Sequence, residues 1–287
     1  MTGPTCPPQP RRRRKGGSFS GNMGESMLDF IKAVAREAGR TAMQYFDGVR
    51  PNDVHAKASP KDMVSAADVA VEELIVSRIR ERFPGHGVFG EESGRSGMHA
   101  EHTWVIDPID GTQSFIKHHP YFSISIAYCE GGRTTAGVVY APALGLLFAA
   151  ERGGGARLND EPIHTARCSA LDEAACLTGF GCVRLGRRVN NIEYFARIVP
   201  HLRDIKRCGS AALDLAMTGA GVYDAYWEMA LQPYDVAAGA LIAEEAGALV
   251  RDLHGGFRYP EEGVIAANPA LLAKLLPFFH DLPENPC

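Results

Sequence analysis

The stretch W-V-I-D-P-I-D-G-T at residues 104–112 sets two carboxylates three residues apart around a proline. Carboxylate oxygens such as those of Asp107 and Asp110 are the ligands that Mg²⁺ prefers in proteins. The Gly111-Thr112 pair that follows can offer backbone N–H groups to an anion. These residue types indicate a site for a divalent metal and a phosphate. Considered alone, the stretch fits a strand-closing Asx turn equally well.

The apolar residues before Asp107 predict a buried strand that positions this carboxylate. Because Pro108 has no N–H group to donate to a strand ladder, we expect Asp107 at the carboxyl end of the strand. The site would then lie at the edge of a sheet.

Further acidic residues follow the ends of other predicted elements. The pair Glu91-Glu92 comes after a short apolar run, and by itself it favours a solvated surface loop. Asp235 follows Pro233 at the start of a helical stretch, where an N-cap is the ordinary interpretation. Asp68 also suits the first turn of a helix. None of these residues identifies a metal site when it is taken singly.

Together the motifs resemble the inositol monophosphatase family of magnesium-dependent, lithium-sensitive phosphatases. The resemblance extends from Met27 to Phe279. Its most specific part is D-P-I-D-G-T, and its companions are G-E-E-S at residues 90–93 and Y-D-V-A-A-G at residues 234–239. The segments C-G-S-A-A-L-D-L and Y-D-A-Y-W-E-M, which begin at Cys208 and Tyr223, resemble the substrate side of the family's site.

This resemblance implies two or three Mg²⁺ ions in each active site. It assigns the first metal to Glu91, Asp107 and the carbonyl of Ile109, and the second to Asp107, Asp110 and Asp235. Asp107 would bridge the two. Glu92 would lie beside them and contact a third, weaker metal or order its waters. Two metals can activate a water on one side of a phosphate and hold the leaving oxygen on the other.

The resemblance also implies roles in catalysis and substrate binding. Thr112, hydrogen-bonded to Asp68, would orient the attacking water, and the backbone of Gly111 and Thr112 would hold phosphate oxygens. The residues implied for the substrate are Asp110, Gly111, Thr112, Ser210, Ala211 and Glu228. Glu228 would accept hydroxyl groups of a sugar or cyclitol. Without the resemblance, a local cap or ion pair is the more ordinary role for this glutamate.

The sequence leaves the substrate open within this class. Inositol monophosphate is the main prediction, and fructose 1,6-bisphosphate is an alternative of the same fold. Gln113-Ser114-Phe115 resembles the related histidinol-phosphate phosphatases, and Tyr234 stands where the family usually has Trp. The branch that acts on adenosine bisphosphate fits least, since it usually carries Lys-Glu-Phe at this place.

The periodicity of apolar residues predicts a helix from Met27 to about Gly48 and a second one that stops before Pro84. Four short strands are expected between residues 123 and 158, and helices near residues 191–199, 211–218 and 236–245. The resemblance sharpens this α/β (α+β) pattern to a five-layer α-β-α-β-α sandwich of the inositol monophosphatase/fructose-1,6-bisphosphatase type. The predicted division is a basic, disordered tail (1–25), an N-terminal lobe (26–168) with the metal motifs, and a C-terminal lobe (169–287) with the substrate side.

Composition agrees with an enzyme of small metabolites. The chain has 287 residues, 45% of them hydrophobic, and a net charge of −4, which is not typical of a nucleic-acid binder. Seven cysteines without a C-x-x-C pair fit a reducing cytoplasm. The resemblance implies a phosphorylated metabolite as ligand and a homodimer, and the lack of a long apolar run predicts no membrane partner. A rival hypothesis, an RNA- or transcription-complex-binding protein, rests on the basic run at residues 11–15.

Overall fold

A computed structural model describes residues 26–48, 60–97, 101–187 and 190–279 of the chain. The expectations for the basic tail lie outside these residues. Two β-sheets and the helices packed on them account for most of the described chain, which is the mixed α/β class predicted from the sequence.

Eight α-helices occur in the described part of the chain. They are α1 (Met27–Gly48), α2 (Pro60–Arg82), α3 (Thr112–Ile116), α4 (Gly181–Arg184), α5 (Asn191–Ile198), α6 (Ala211–Gly219), α7 (Pro233–Glu245) and α8 (Pro269–Leu275). The buried residues of α1 recur every three or four positions, from Ile31 through Val34 and Ala38 to Ala42. This spacing puts one apolar stripe against the sheet. The predicted bounds of α1 and the predicted end of α2 are confirmed.

Thirteen strands form two sheets in the same residues. The first eight are β1 (Gly87–Gly90), β2 (Gly94–Ser96), β3 (His102–Asp110), β4 (Ser123–Glu130), β5 (Arg133–Ala141), β6 (Leu146–Glu151), β7 (Gly155–Leu158) and β8 (Glu161–Pro162). The other five are β9 (Ala175–Thr178), β10 (Asp204–Lys206), β11 (Ala225–Glu228), β12 (Leu249–Arg251) and β13 (Val264–Ala267). The strand order is β2-β1-β3-β4-β5-β6-β7-β8 in the large sheet and β10-β9-β11-β13-β12 in the small one. The four strands predicted between residues 123 and 158 are confirmed as β4 to β7.

The helices and sheets alternate in five layers. Helices α1 and α2 pack on one face of the large sheet, and α6 and α7 pack on its other face. The same α6 and α7 also contact the small sheet, whose far side is covered by α8 and the chain around it. Three apolar cores fill the spaces between these layers. The α-β-α-β-α arrangement expected from the resemblance is confirmed.

Strand β3 differs from its prediction at Pro108. The strand does not end at Asp107 but continues to Asp110. Its pairing with β4 passes from Asp107 opposite Ser125 to Asp110 opposite Ser123, so β3 contains one extra residue there. In such a β-bulge the ladder is locally interrupted, and a proline without an N–H group is tolerated. The bulge lies between the two carboxylates of the motif.

The helices α6 and α7 belong to the C-terminal half of the chain but pack against both sheets. The division into lobes at residue 168 therefore stays an interpretation of the sequence. Among the residues in view, no helix combines the length and the apolar composition that crossing a membrane requires.

Candidate functional site

Three carboxylates meet where the end of β3 faces the start of α7. Asp107, Asp110 and Asp235 each present an oxygen within 4.8 Å of the others. Asp107 is 1% exposed and Asp110 9%. The hydroxyl of Ser125, on the neighbouring strand β4, donates to the carbonyl of Tyr234 at 3.2 Å and ties the start of α7 to the large sheet. Residues that are far apart in sequence thus form one buried acidic cluster, as the motifs predicted.

Asp235 reaches the cluster from the first turn of α7 and not from its N-cap. Gln232 is the N-cap, Pro233 follows it, and Asp235 is the third helical residue. The carboxylate of Asp235 accepts a hydrogen bond from the backbone N–H of Gln232 at 2.6 Å. The N-cap interpretation of Asp235 is therefore wrong. The proline ring suits the first helical position, so the helix begins at Pro233, before Asp235.

Burial raises the pKa of every carboxyl in the cluster, and repulsion between the carboxylates adds to the shift at Asp107 and Asp110. Burial, then the negative charge of Asp235, raises the pKa of Asp110 to about 8. Burial raises the pKa of Asp235 itself to about 6. The pKa of Asp107 is raised well above its ordinary value by burial first and by the charge of Asp110 second. Without a cation, these groups cannot all be ionised near neutral pH.

The cluster fits a hard divalent cation. One carboxylate oxygen of Asp107 is buried and has no hydrogen-bond partner among the described residues. A buried polar atom without a partner is costly, whereas several carboxylate oxygens close together are the ligand set of Mg²⁺ or Ca²⁺. A bound cation would remove both the repulsion and the missing contact.

Glu91 lies beside the cluster because β1 and β3 are parallel neighbours. Its backbone N–H donates to the carbonyl of Ile106 at 3.2 Å, one residue before Asp107. Burial of its carboxyl, then the charge of Asp235, raises the pKa of Glu91 to about 7. Although the residue is exposed on the turn after β1, its carboxylate faces the cavity. The surface-loop interpretation and the metal-ligand prediction are therefore compatible for Glu91.

A glutamate that sequence reasoning missed holds this turn in place. Glu72 on α2 is 3% exposed. Its two carboxylate oxygens accept the backbone N–H groups of Glu92 at 3.0 Å and Ser93 at 2.8 Å. Gly90 leaves room for this carboxylate, which a Cβ at position 90 would overlap. The role of Glu72 is revealed by its contact with Glu92, 20 residues further along the chain. No local sequence motif marks it.

Glu92 lies outside the cavity of the carboxylate cluster. It lines a neighbouring groove with Glu72, Glu73 and Ser93. Its negative charge still contributes to the raised pKa of Glu91. The predicted contact of Glu92 with a third metal stays a prediction.

The predicted hydrogen bond between Thr112 and Asp68 is absent from the described structure. The Thr112 hydroxyl donates instead to the carbonyl of Ile109 at 3.4 Å, because the chain turns tightly after β3. Asp68 is 4% exposed, and one of its carboxylate oxygens is buried without a partner. Burial, then the charges of Glu91 and Glu92, raises its pKa to about 8. It also lies about two turns into α2, so it is not a first-turn acid.

Gly111 allows the motif to approach the opposite half of the molecule. Its φ angle is 95°, in the left-handed region that favours glycine. A Cβ at this position would lie 3.1 Å from the carbonyl oxygens of both Gly209 and Tyr121. The backbone of Gly111 and Thr112 consequently lines the cavity, where the sequence predicted it would hold phosphate oxygens.

Ser210 lies behind Asp110 and not on the cavity wall. It is fully buried, and its hydroxyl donates to a carboxylate oxygen of Asp110 at 2.6 Å. The same oxygen accepts the backbone N–H of Ala212 at 2.7 Å. Ser210 is also the N-cap of α6, and its hydroxyl accepts the backbone N–H of Leu213 at 3.4 Å. The side chain of Ser210 does not line the cavity, whereas Ala211 does, so the substrate contact of Ser210 stays a prediction.

Glu228 extends into the cavity from the end of β11, on the small sheet. Its carboxylate accepts the hydroxyl of Tyr226 at 2.9 Å and the backbone N–H of Gly181 at 3.3 Å. Burial raises the pKa of Glu228 above its ordinary value. Gly179 lies against the carboxylate, and a Cβ there would overlap it. Two glycines and a tyrosine thus hold one carboxylate opposite the metal ligands.

One cavity of about 380 Å³ joins these residues. Nine of the predicted site residues line it: Glu91, Asp107, Ile109, Asp110, Gly111, Thr112, Ala211, Glu228 and Asp235. Three others, Asp68, Glu92 and Ser210, do not. The cavity has carboxylates at one end and Glu228 at the other, so it can hold a metal-bound phosphate and a hydroxylated leaving group together.

Two further charged residues near the site escaped sequence reasoning. Asp214 on α6 is 1% exposed and accepts the hydroxyl of Tyr121 at 2.7 Å. This bond holds the chain segment whose carbonyl contacts the Gly111 turn. Arg207 lines the cavity just after β10. Both lie within or next to the quoted C-G-S-A-A-L-D-L segment, but only the folded chain shows which of its side chains face the cavity.

Comparison with known proteins relates the chain to one family along most of its length. The sequence model of the inositol monophosphatase family matches residues 23–284. Nus factor SuhB of Escherichia coli (strain K12) is 37% identical over 257 residues, which cover 89% of this chain and 96% of that protein. Inositol-1-monophosphatase of Mesorhizobium japonicum is 36% identical over 253 residues, which cover 88% and 95%.

Solved structures agree with the fold. The inositol monophosphatase from Anabaena (Nostoc) sp. PCC 7120 superposes with a TM-score of 0.80 at 32% identity, over 89% of this chain and 96% of that one. Mycobacterium tuberculosis SuhB superposes with a TM-score of 0.74 at 33% identity, over 90% and 98%. The similarity in sequence and in structure therefore covers nearly the whole of each relative.

Proposed function

The chain belongs to the inositol monophosphatase family, and from this membership we propose that it is a Mg²⁺-dependent phosphomonoesterase that hydrolyses inositol monophosphate to inositol and phosphate. The family implies a metal-dependent phosphatase; the ion and the substrate are our proposal. The observation that carries it is the buried cluster of Asp107, Asp110 and Asp235 in the same cavity as Glu228.

The proposed ligands divide between two Mg²⁺ ions. Glu91, Asp107 and the carbonyl of Ile109 would hold the first, and Asp107, Asp110 and Asp235 would hold the second. Support comes from the unpartnered oxygen of Asp107 and from the raised pKa values of the carboxyls around it. When bound, such ions lower the pKa of a bound water and offset charge on a phosphate. A third ion at Glu92 is an extension of this proposal.

The chain's own groups would orient the phosphate. The backbone of Gly111 and Thr112 is proposed to donate N–H groups to phosphate oxygens at the carboxylate end of the cavity. The Thr112 hydroxyl lies at the same place and is proposed to orient the attacking water. The hydrogen bonds give no support for Asp68 as the partner of Thr112, so its role in catalysis stays a prediction.

The other end of the cavity would select the alcohol. Glu228 is an acceptor fixed in place by Tyr226 and Gly181, and Ala211 adds a small apolar wall. A carboxylate can accept two vicinal hydroxyl groups, which inositol provides. Gln113 also lines the cavity, so the departure from the family's usual residues at this position bears on the same choice of alcohol.

A side-by-side assay tests the substrate. Phosphate release is measured for inositol 1-phosphate, histidinol phosphate, fructose 1,6-bisphosphate and adenosine 3′,5′-bisphosphate, with Mg²⁺ and then with added Li⁺. We expect the highest kcat/KM for inositol 1-phosphate and inhibition by Li⁺. Higher activity on histidinol phosphate would replace the substrate proposal and leave the metal assignment intact.

A ligand substitution tests the metal assignment. Asp110→Asn should lower kcat/KM by at least about 100-fold, because it removes a charged ligand. Asp172→Asn, an exposed position outside the cavity, is the matched control and should keep full activity. Near-normal activity of Asp110→Asn, with an unchanged circular dichroism spectrum, would contradict the assignment.

A second candidate function comes from the names of the relatives, since several proteins at 37% identity are called Nus factor SuhB. We propose RNA or a transcription complex as a partner of this chain in that case, acting through residues 1–25. Salt-sensitive RNA binding that disappears when these residues are removed would support it.

We also propose that the chain forms a homodimer and that it acts in the cytoplasm. Light scattering of the purified chain tests the dimer.

A further inference from the structure

A groove of about 620 Å³ lies along α2 and reaches the turn that follows β1. Val69 and Val76 give it an apolar lining, and Val69 is 38% exposed. Glu73 and Glu92, both exposed, line it as well. This α2 groove is separate from the cavity of the carboxylate cluster, and the two-metal hydrolysis proposed for that cavity gives the groove no function.

The α2 groove is negatively charged. Among the described residues that line it, four glutamates stand against one basic side chain, Arg80. Glu81 is paired with Arg78 at 3.3 Å, whereas neither Glu73 nor Glu92 forms an ion pair within the described ranges. The groove therefore offers two exposed carboxylates to a basic partner.

The chain itself contains such a partner before α1. Residues 11–15 read R-R-R-R-K, and no other five consecutive residues of the sequence are all basic. Between this run and α1, residues 16–24 are uncharged and include Phe19 and Met23, and one acid, Glu25, follows them. The segment thus changes from basic through apolar to acidic as it approaches α1.

The start of α1 lies beside the end of α2. The rings of Phe30 and Phe83 are 5.3 Å apart between centroids, and Glu37 pairs with Arg78 at 2.6 Å. The two helices are therefore antiparallel. Because each residue rotates a helix by about 100°, the groove residue Glu73 lies on the side of α2 opposite Arg78, so a segment that leaves α1 reaches the groove around the end of α2.

The basic run has enough chain to make this connection. Half the circumference of a helix is roughly 15–20 Å, and the groove continues for about 10 Å from Arg80 to Glu73. Residues 15–25 can span up to about 36 Å when they are extended. On this path Arg80 comes first, Val76 second and Glu73 last. Glu25, Phe19 and the basic run follow in the same order of charge complementarity.

We propose that the α2 groove is the docking site of this chain's own basic segment, residues 11–15, with Glu73 and Glu92 as its acceptors. Ion pairs between exposed side chains are individually weak. Here several form together, and the connection to α1 makes the contact intramolecular, which raises its effective concentration. A docked segment is withheld from RNA and other acidic partners until they displace it. The inference does not depend on the proposed hydrolysis.

Cross-linking of the full chain tests the contact directly, since Lys15 is the one amine of the basic run. A carbodiimide condenses this amine with a touching carboxylate to an amide and is itself hydrated to a urea. At low salt, mass spectrometry should find Lys15 joined to Glu73 or Glu92 at least about 10-fold more often than to Glu151 or Glu173, which are exposed elsewhere. Added salt should lower this yield.

A mixture of ¹⁴N- and ¹⁵N-labelled chains identifies the occupant. Links within one chain support the proposal. Links between a light and a heavy chain would assign the groove to the segment of a second copy and overturn it, and so would equal yields at all four glutamates.

Trypsin cleavage within residues 11–15 provides a second measurement. Glu73→Gln combined with Glu92→Gln should speed the first cleavage by about 10-fold at low salt, because the undocked population is the one that is cut. Glu73→Gln alone should give a smaller increase. Glu151→Gln combined with Glu173→Gln removes the same charge elsewhere and should leave the rate unchanged. Equal rates for the wild type and both double variants, with unchanged circular dichroism spectra, would overturn the docking.

Discussion

Glu72 positions the proposed metal ligand Glu91 through the backbone of the turn that follows β1. Its two oxygens hold two consecutive N–H groups, so they fix the direction in which the Glu91 carboxylate points. Residues that orient a metal ligand in this way often affect activity almost as strongly as the ligands.

Glu72→Ala should therefore raise the Mg²⁺ concentration needed for half-maximal activity by about 10- to 100-fold. The reason is that the turn loses two charge-assisted hydrogen bonds and Glu91 is no longer held against Asp107. Steady-state rates across a Mg²⁺ titration measure the effect. Glu73→Ala, the exposed neighbour on α2, is the control, and an identical Mg²⁺ curve for the two variants would contradict the assignment.

Gly179 offers a separate test of the alcohol end of the cavity. Gly179→Ala should raise KM for inositol 1-phosphate about 10-fold, because the new Cβ overlaps the Glu228 carboxylate and displaces it. Gly181→Ala is a close control, since its Cβ would lie 3.5 Å from Oε1 of Glu228. The Mg²⁺ dependence of both variants should match the wild type. Equal KM values for the two variants would remove the support for Glu228 as the substrate acceptor.

Single residues show where sequence reasoning succeeds. Asp107, Asp110 and Asp235 stand in motifs whose spacing identifies them, and the structure brings all three together. Glu72 and Arg207 carry no motif, because their importance depends on contacts across layers. The predicted hydrogen bond between Thr112 and Asp68 also joins distant parts of the chain. In the structure the Thr112 hydroxyl donates instead to the carbonyl of Ile109, which is close in sequence.

At the scale of elements, the start of α6 links stability to the site. Ser210 caps this helix by accepting the N–H of Leu213 and also donates to Asp110. Ser210→Ala should cost about 1–2 kcal/mol of the free energy of unfolding and should also weaken Mg²⁺ activation, since Asp110 loses a donor. Urea unfolding and Mg²⁺ titrations measure the two effects.

Asn268, the N-cap of α8, provides the comparison. Asn268→Ala should lower the free energy of unfolding by a similar amount without changing Mg²⁺ activation, because α8 packs on the far side of the small sheet. If both variants changed Mg²⁺ activation equally, the effect would be one of general stability and not of the bond to Asp110.

Elements were predicted more reliably than their ends. The spacing of apolar residues located α1, α2 and the strands β4 to β7, since burial of one face imposes that spacing. The end of β3 and the start of α7 were placed wrongly by a few residues. In both cases a proline was involved, and its effect depends on whether a bulge or a first helical turn surrounds it.

At the scale of the whole molecule, the acidic cluster should make stability depend on pH and metal together. The ordinary pKa of an Asp carboxyl is 3.8, whereas Asp110 and Asp68 titrate at about 8 in the folded chain. Between these values the folded state binds more protons than the unfolded state. The free energy of unfolding therefore falls as pH rises through this range.

In EDTA, the melting temperature should drop by at least about 5 °C between about pH 5 and about pH 8. Mg²⁺ should raise it most at the alkaline end, where the carboxylates are ionised and no proton competes with the ion for them. Differential scanning fluorimetry measures both curves. Asp110→Asn, which removes one of the shifted groups, should flatten the EDTA curve, and a melting temperature that rises with pH in EDTA would contradict the electrostatic account.

The five-layer arrangement followed from the family resemblance and from the alternation of helices and strands. The packing of α6 and α7 between the sheets did not follow from either, because apolar residues are spread around both helices and do not say which partner covers each face. This is also why the boundary between lobes cannot be drawn by counting residues.

The proposed metal ligands on β3 and α7 belong to the large sheet and the central helices, whereas Glu228 belongs to the small sheet. Substitutions in the small sheet and its outer helix can therefore accumulate without disturbing the carboxylates proposed to hold the metal. Random libraries confined to residues 175–187 should yield variants with new alcohol preferences at a much higher frequency than libraries of the same size in β3. The molecule is in this sense already divided into a part that evolution must keep and a part that it can vary.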